Sequence, residues 1–505
     1  MRALYALGIV GIVGVTPAMA WATTATFTGS VSASGTSWAA HTFTVEQTGT
    51  ISAVLDWDDP AANLNLLLYD PFGTLVAGAY STSAKPESLS YAASVTGEWK
   101  LGVKAKRGAA VYNLVVVYPG TTPTLSATDR ATEAGIAQIT RSYGTYVGDY
   151  DLDGDQDFLY NRHSGSEMIV YANDGAGHFV QRLPALFPLN DRHDCVWGDV
   201  DLDGLPDTYC AVGASGGRAI KANELWLQRS DHTLVQVPGA WGADDPLGRG
   251  REPALFDATG DGYLDLFVGN FYPRVDGLPT PNRFYVRDPN GGFISAPEYG
   301  IDLEVGGQCA EPADFDDDDD TDLAVCTHGP SGGLKLYRND EGVAFTDVAA
   351  SKGVTGQWCD VLWVDLNLDG RVDLTRMNNG AFQVMLQQPD GTFVTTYQMS
   401  MSKSGCRFGG GGNRVAAGDV NLDGYPDLYV LYSGYTSGAY NLPDVFLVND
   451  GTGRGFSRAS LPQASAGSGF SVAAIEADGD PRMEFLVTNG RANFKGPIQL
   501  IDLGP

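Results

Sequence analysis

Residues 149–157 read DYDLDGDQD, five carboxylates in nine positions. Like charges about 4 Å apart repel by about 1 kcal/mol in water and by about 4 kcal/mol nearer a protein interior. Such a stretch calls for a counter-charge. The pattern returns as DVDLDGLPD from Asp199, DATGDGYLD from Asp257, DFDDDDDTD from Asp314, DLNLDGRVD from Asp365 and DVNLDGYPD from Asp419, with a worn copy, EADGDPRME, from Glu476. The starts are 50, 58, 57, 51, 54 and 57 residues apart, a period that suits a propeller blade.

Positions 1, 3, 5 and 9 of each copy carry oxygen. They are Asp149, Asp151, Asp153 and Asp157, then Asp199, Asp201, Asp203 and Asp207, then Asp257, Thr259, Asp261 and Asp265. The next three sets are Asp314, Asp316, Asp318 and Asp322; Asp365, Asn367, Asp369 and Asp373; and Asp419, Asn421, Asp423 and Asp427. Calcium takes six to eight hard oxygen ligands in flexible geometry, and an ion would neutralise the repulsion. Position 6 is glycine in five copies, where the loop must turn sharply. Asp319 holds that place in the fourth copy, and aspartate tolerates positive φ. Pro481 holds it in the seventh; proline cannot take positive φ, so that site is expected empty or distorted. Five or six bound calcium ions are expected. For any one copy, a solvated acidic turn is the alternative.

These loops are not EF-hands. An EF-hand needs a bidentate glutamate at position 12 between helices, whereas position 12 here is Tyr160, Cys210, Val268, Val325, Arg376 or Val430. The flanks, such as TYCAV, LDLFVG and PDLYVL, are rich in β-branched and aromatic residues, so each loop joins two antiparallel strands. A third apolar run (EMIVYAN, ELWLQR, RFYVRD, LKLYRN, FQVMLQ, VFLVND), a turn and a fourth strand complete a blade. The last repeat lacks a fourth strand, and residues near 125–130 are expected to supply it. The reading is all-β: a seven-bladed β-propeller over 121–505, preceded by a β-sandwich over 23–120.

The D-x-D-x-D-G-x-x-D loops between strands resemble the FG-GAP/VCBS repeats of integrin alpha-subunit propellers, over roughly residues 125–505. The linkers, such as FTDVAASKGV, are similar to those of the cartilage acidic protein family. The resemblance implies calcium at positions 1, 3, 5 and 9. In the preceding segment, the order ISAVLDWDD, NLNLLLYDPFGTLVA, GEWKLGVKA resembles the bacterial pre-peptidase C-terminal domain, an accessory module of secreted enzymes. Asp56, Asp58, Asp59 and Asn63 there form either another calcium site or a polar loop.

Arg2, the apolar stretch Ala3–Val15 and the small residues around Ala20 read as a signal peptide over 1–22, so a secreted or cell-surface protein is expected, with no transmembrane segment in the mature chain. Six cysteines suit that compartment. On the blade plan Cys195 and Cys210 fall at matching heights on adjacent strands, as do Cys309 and Cys326, leaving Cys359 with Cys406. The net charge of −29 argues against a nucleic-acid partner.

Catalytic signatures are thin. GASGG at 213–217 and GPSGG at 329–333 match G-x-S-x-G but occupy equivalent turns between strands rather than a strand–helix elbow. FGGGGNR at 408–414 has no lysine or helix start of a phosphate loop. His193, Asp194, Arg249, Arg251, Glu252, Glu311 and Asp360 hold comparable places in successive blades, either around a central pocket or as solvated loop residues. Two function classes follow. One is a monomeric extracellular recognition or adhesion protein with a glycan or protein ligand. The other is an extracellular polysaccharide hydrolase or lyase on the same scaffold.

Overall fold

The computed structural model describes residues 22–505 except 46–48, 82–84, 120–124, 141–143, 162–167, 183–186, 214–220, 272–276, 278–279, 302–305, 329–331, 359, 379, 402–413, 432–443, 460, 462–468, 491–494 and 505. Two compact units divide the chain, 1–124 and 125–505. The signal-peptide segment, Cys359, Cys406 and most of the two G-x-S-x-G stretches and the FGGGGNR stretch lie outside the described residues.

The first unit has eight strands: β1 (Ala22–Ser32), β2 (Trp38–Val45), β3 (Gly49–Trp57), β4 (Asn63–Tyr69), β5 (Leu75–Ala79), β6 (Glu87–Ala93), β7 (Gly97–Arg107) and β8 (Ala109–Pro119). They form two antiparallel sheets, ordered β1-β8-β3-β6 and β2-β7-β4-β5. Alternation assigns the faces: along β3, Ile51, Ala53, Leu55 and Trp57 point inward and the residues between them do not. Both sheets contribute to one apolar core around Leu55, Leu66, Trp99, Leu101, Val103 and Leu114.

Among its described residues the second unit forms seven antiparallel sheets. In the first repeat, strands Gly144–Gly148, Asp157–Asn161, Ile169–Asn173 and Phe179–Gln181 pair in sequence order, all antiparallel. Repeats two to six begin at strands Arg192–Gly198, Gly250–Phe256, Gly306–Ala313, Asp360–Val364 and Val415–Gly418, and each forms its own four-stranded antiparallel sheet. The seventh sheet joins Ser471–Ile475, Glu484–Thr488 and Gly496–Gly504, and the last of these pairs with Ser126–Asp129 in register Ile501↔Asp129 to Gly504↔Ser126.

Neighbouring sheets meet in a closed series. The first strand of each repeat packs against the first strand of the next, and that of repeat seven against that of repeat one. Shared apolar clusters sit at the seams: Tyr209 with Leu266, Phe267 with Val325, Cys326 with Leu374, Phe382 with Leu428, and Phe158 with Leu486. Tyr429 and Phe446 meet Phe485 between repeats six and seven, with ring centroids 5.3 and 5.4 Å away. Burying one such side chain contributes about 1.5–3 kcal/mol, against at most about 1 kcal/mol for an exposed ion pair. The seams therefore hold the sheets together, and the acidic loops are left to do something else. Among the described residues no helix is long and apolar enough to cross a membrane.

Candidate metal centres

Each acidic loop joins the first and second strands of its repeat, closing just outside pairs such as Gly148↔Asp157 and Gly198↔Asp207. The position-1 aspartate winds the loop around its own carboxylate. Asp199 Oδ1 accepts the Asp203 N–H at 3.1 Å and Oδ2 the Gly204 N–H at 2.9 Å. Asp257, Asp314, Asp365 and Asp419 repeat both bonds. Position 6 is left-handed, with φ +88° at Gly204 and +70° at Asp319. Position 4 is left-handed too, and it is leucine in four loops: Leu152, Leu202, Leu368 and Leu422 have φ between 55° and 61°. That conformation costs roughly 1–2 kcal/mol per L-residue, and the position-1 bonds hold it.

The position-9 aspartate has a second role that the ligand pattern did not reveal. Asp157, Asp207, Asp265, Asp322, Asp373 and Asp427 are fully buried. In each, Oδ2 accepts the N–H of position 2, as from Val200 to Asp207 at 3.0 Å. Oδ1 accepts an N–H at the end of the third strand, as from Gln228 to Asp207 at 2.9 Å. This carboxylate staples loop to sheet with or without an ion, and each oxygen keeps a lone pair for a metal. Burial raises its pKa to about 6 at Asp157 and Asp265, about 7 at Asp207, Asp322 and Asp373, and about 8 at Asp427, with the two N–H bonds opposing.

The residue closing the third strand also latches repeats together. Its side chain donates to the position-2 carbonyl of the preceding loop: Gln228 to Tyr150 at 3.1 Å, Arg287 to Val200 at 2.9 Å, Asn339 to Ala258 at 2.8 Å and Asn449 to Leu366 at 2.7 Å. Gln387 reaches Phe315 likewise, and Asn173 reaches Ala477 of repeat seven at 2.9 Å. Repeat seven has Leu503 in the corresponding register, which has no side-chain donor. The signal was present in the sequence as a polar residue ending the apolar third run of the first six repeats.

The loops differ in what satisfies their oxygens. In the first four, buried oxygens at position 3 have no hydrogen-bond partner: Asp151 Oδ1, Asp201 Oδ1, Thr259 Oγ1 and Asp316 Oδ1, with Asp149 Oδ1 at position 1. Burial and the neighbouring Asp153, Asp203 and Asp318 carboxylates raise the pKa values of Asp151, Asp201 and Asp316. Oxygens of Asp149, Asp151 and Asp157, of Asp199, Asp201 and Asp203, and of Asp314, Asp316 and Asp322 converge to within 4.8 Å. A buried acceptor left unpaired costs about 1–3 kcal/mol, and an all-oxygen donor set of this charge fits a hard cation. In the fifth and sixth loops the position-3 amides satisfy themselves, Asn367 Nδ2 donating to Asp369 at 3.1 Å and Asn421 Nδ2 to Asp423 at 3.0 Å; Arg371 also pairs with Asp369.

Pro481 stands at position 6 of the seventh loop, the site expected to be empty or distorted. Oxygens of Asp478, Asp480 and Glu484 converge to within 4.8 Å, as in the first. Their counter-charges are arginines. Arg130 NH1 lies 2.5 Å from Asp478 Oδ2 and 3.4 Å from Asp502, and Arg482 NH2 lies 2.5 Å from Asp480 Oδ2.

A cavity of about 180 Å³ opens between the first strands of repeats one to four, lined in part by Tyr146, Asp194, Glu252 and Glu311. The Asp194 and Glu252 carboxyls are hydrogen bonded to each other. Burial first, then neighbouring carboxylates, drive the pKa values of Glu252 and Glu311 well up, while Asp360 is pushed up to about 7 by burial against the opposing pull of Arg414. Arg251 points away, its NH1 on the Gly250 carbonyl at 2.7 Å and its guanidinium over Phe271, and His193 stands 3.9 Å from Asp191. Cys195 and Cys210 lie opposite each other at disulfide distance, as do Cys309 and Cys326. In the first unit Asp58 accepts the Asp59 and Val111 N–H groups, Asp59 accepts the Ala61 N–H, and Asp56 pairs with Lys85 at 3.5 Å.

All-β sheets with acidic loops between first and second strands agree with the matching family: an FG-GAP-like repeat profile fits residues 149–210, 199–268 and 365–430. The chain therefore carries FG-GAP-like repeats. It is similar to cartilage acidic protein 1 of Mus musculus, 26% identical over 274 residues covering 49% of this chain and 42% of that one, and of Homo sapiens, 26% identical over 49% and 40%. The matched span is thus about two-fifths of the length of these curated relatives. A solved structure, the Yersinia pseudotuberculosis-derived mitogen, aligns with 20% of this chain and 89% of its own at 19% identity and a TM-score of 0.16, too low to bear on the fold.

Proposed function

We propose that this is a secreted, calcium-binding seven-bladed β-propeller that acts as an extracellular recognition or adhesion protein for a glycan or protein ligand, preceded by a β-sandwich of the pre-peptidase C-terminal type. The observation that carries the calcium reading is the set of unpaired buried oxygens at the same position of four successive loops, Asp151, Asp201, Thr259 and Asp316. The closed series of first-strand contacts supports the propeller. Calcium would stabilise the native state by binding it and not the unfolded chain. Extracellular sites with Kd around 10⁻⁴–10⁻³ M still fill. Because position 2 is both stapled to Asp207-type carboxylates and latched to the next repeat, an ion in one loop also stiffens the following seam.

The test is thermal unfolding of the mature protein in calcium and in excess chelator, with bound-metal analysis. Four to six ions per chain and a Tm fall of roughly 10 °C or more on chelation are expected. No bound metal with an unchanged Tm would leave the loops as solvated turns. A second reading, a polysaccharide hydrolase or lyase, draws on Glu252 and Glu311, two carboxyls beside one cavity whose pKa values burial pushes up, the direction a general acid needs. Cleavage of a polysaccharide that disappears in Glu311→Gln would select it.

A further inference from the structure

The exposed face of the β2-β7-β4-β5 sheet carries an arrangement that neither the calcium loops nor the propeller reading uses. Four of the five Lys and Arg residues between 23 and 120 lie on β7, as Lys100, Lys104, Lys106 and Arg107. Lys100 and Lys104 alternate with the buried Leu101, Val103 and Ala105 and stand on the outward face, and the exposed Lys106 follows at a bulge opposite Asn63 and Leu64. Two residues along a strand span roughly 7 Å, so the ammonium groups form a line. Among the described residues Lys104 and Lys106 are exposed and make no ion pair, in a chain whose net charge is −29.

Aromatic rings flank that line, and glycines make room for them. Gly102 lies between Lys100 and Lys104, and the Trp38 indole from β2 occupies the space above it; a Cβ there would come within 1.9 Å of the ring. Trp38 reaches across to Tyr69 of β4, with centroids 5.9 Å apart, and the Lys100 ammonium sits 4.9 Å from the Tyr69 ring. Just after β5 the Tyr80 ring likewise occupies the space above Gly78, and Tyr80 is 53% exposed. Aromatic side chains join an apolar face to a polar edge, and pyranose rings present C–H faces that stack on such surfaces.

We propose that this face binds an anionic polysaccharide, its carboxylate or sulfate groups along the Lys100–Lys104–Lys106 line and its sugar rings against Trp38, Tyr69 and Tyr80. Charge complementarity selects a polyanion. The aromatic platform selects a sugar over an acidic peptide. The acidity of the rest of the chain disfavours the denser charge of a nucleic acid, one per about 1.7 Å in a duplex. This stands apart from the calcium reading: the face belongs to the first unit and its chemistry uses no loop ligand.

The test is calorimetric titration of the full-length protein with soluble oligogalacturonate, neutral dextran and poly-glutamate at two salt concentrations. Oligogalacturonate is expected to bind more tightly than both controls and more weakly at high salt. Three exposed ammonium–carboxylate contacts give about a tenfold loss in Lys100→Gln/Lys104→Gln/Lys106→Gln. Tyr80→Ala, at an exposed position, is expected to weaken binding severalfold with Tm unchanged. Equal binding of poly-glutamate would overturn the sugar assignment in favour of an acidic protein partner. Affinity unchanged in both variants, or no binding, would overturn the site.

Discussion

The acidic loops of repeats one, two, four and seven each bring three carboxylates to within 4.8 Å of one another, but their counter-charges differ. Asp199, Asp201 and Asp203 converge to within 4.8 Å and leave Asp201 Oδ1 buried and unpaired. Asp478, Asp480 and Glu484 converge equally, yet Arg130 and Arg482 already sit at 2.5 Å from two of them. Burial with like-charged neighbours raises the pKa of Asp201, whereas Arg130 tips Asp478 down although burial opposes it. Convergence of acids thus does not define a metal site; an unmet need for positive charge does. The seventh loop stands where the chain closes on itself, since Arg130 follows the Ser126–Asp129 strand that pairs with the last one.

The largest expected effect separates these two kinds of loop directly. Asp201→Ala removes an unpaired oxygen and a charge from the second site. It should cost one calcium ion per chain by metal analysis and about 2–3 kcal/mol in saturating calcium, the linkage energy of a site held near a hundred times its Kd. Glu476→Ala, whose Oε1 accepts the Gly479 N–H at 2.6 Å, should leave the ion count unchanged. Equal losses from the two variants would break the distinction between loops.

A second prediction separates the loops from the buried Asp360 carboxyl on the first strand of repeat five. The Asp360 carboxyl, with a folded pKa of about 7, holds a proton more readily folded than unfolded. The stability it contributes is complete below its ordinary pKa and is lost as pH rises through about 7. In saturating calcium, Tm should therefore fall between pH 5 and pH 8, and the fall should be shallower in Asp360→Asn. A slope unchanged in that variant would return the pH dependence to the loops.

What the sequence disclosed and what it hid divide by distance along the chain. The place of each acidic loop between two strands was legible from the β-branched and aromatic flanks, and the left-handed turn at position 6 from its glycines, because both restrict residue types at short spacing. The cysteine pairs were legible because register carries Cys195 to Cys210 and Cys309 to Cys326. The strain at Leu202 was not, since leucine gives no sign of positive φ. Asp194 meeting Glu252, Trp38 covering Gly102, and Arg130 entering a loop 348 residues away are all contacts between separate strands or repeats. No local pattern specifies them.

The smallest change in stability should accompany the sharpest change in stoichiometry. Replacing Arg130 and Arg482 with glutamine keeps hydrogen-bonding side chains at both places and removes two positive charges. Asp478, Asp480 and Glu484 then face one another without counter-charge, the condition of the first four loops. Arg130→Gln/Arg482→Gln should bind one more calcium ion than the parent, because the donor oxygens already converge and only their neutralisation has changed. Without calcium the variant should unfold a few degrees lower, since the closing strand loses its ties to Asp478 and Asp502. With calcium most of that loss should return, one cation replacing another. A variant that loses stability in both conditions and gains no ion would mean that Pro481 excludes the metal at position 6, and that the arginines merely occupy a loop already closed to it.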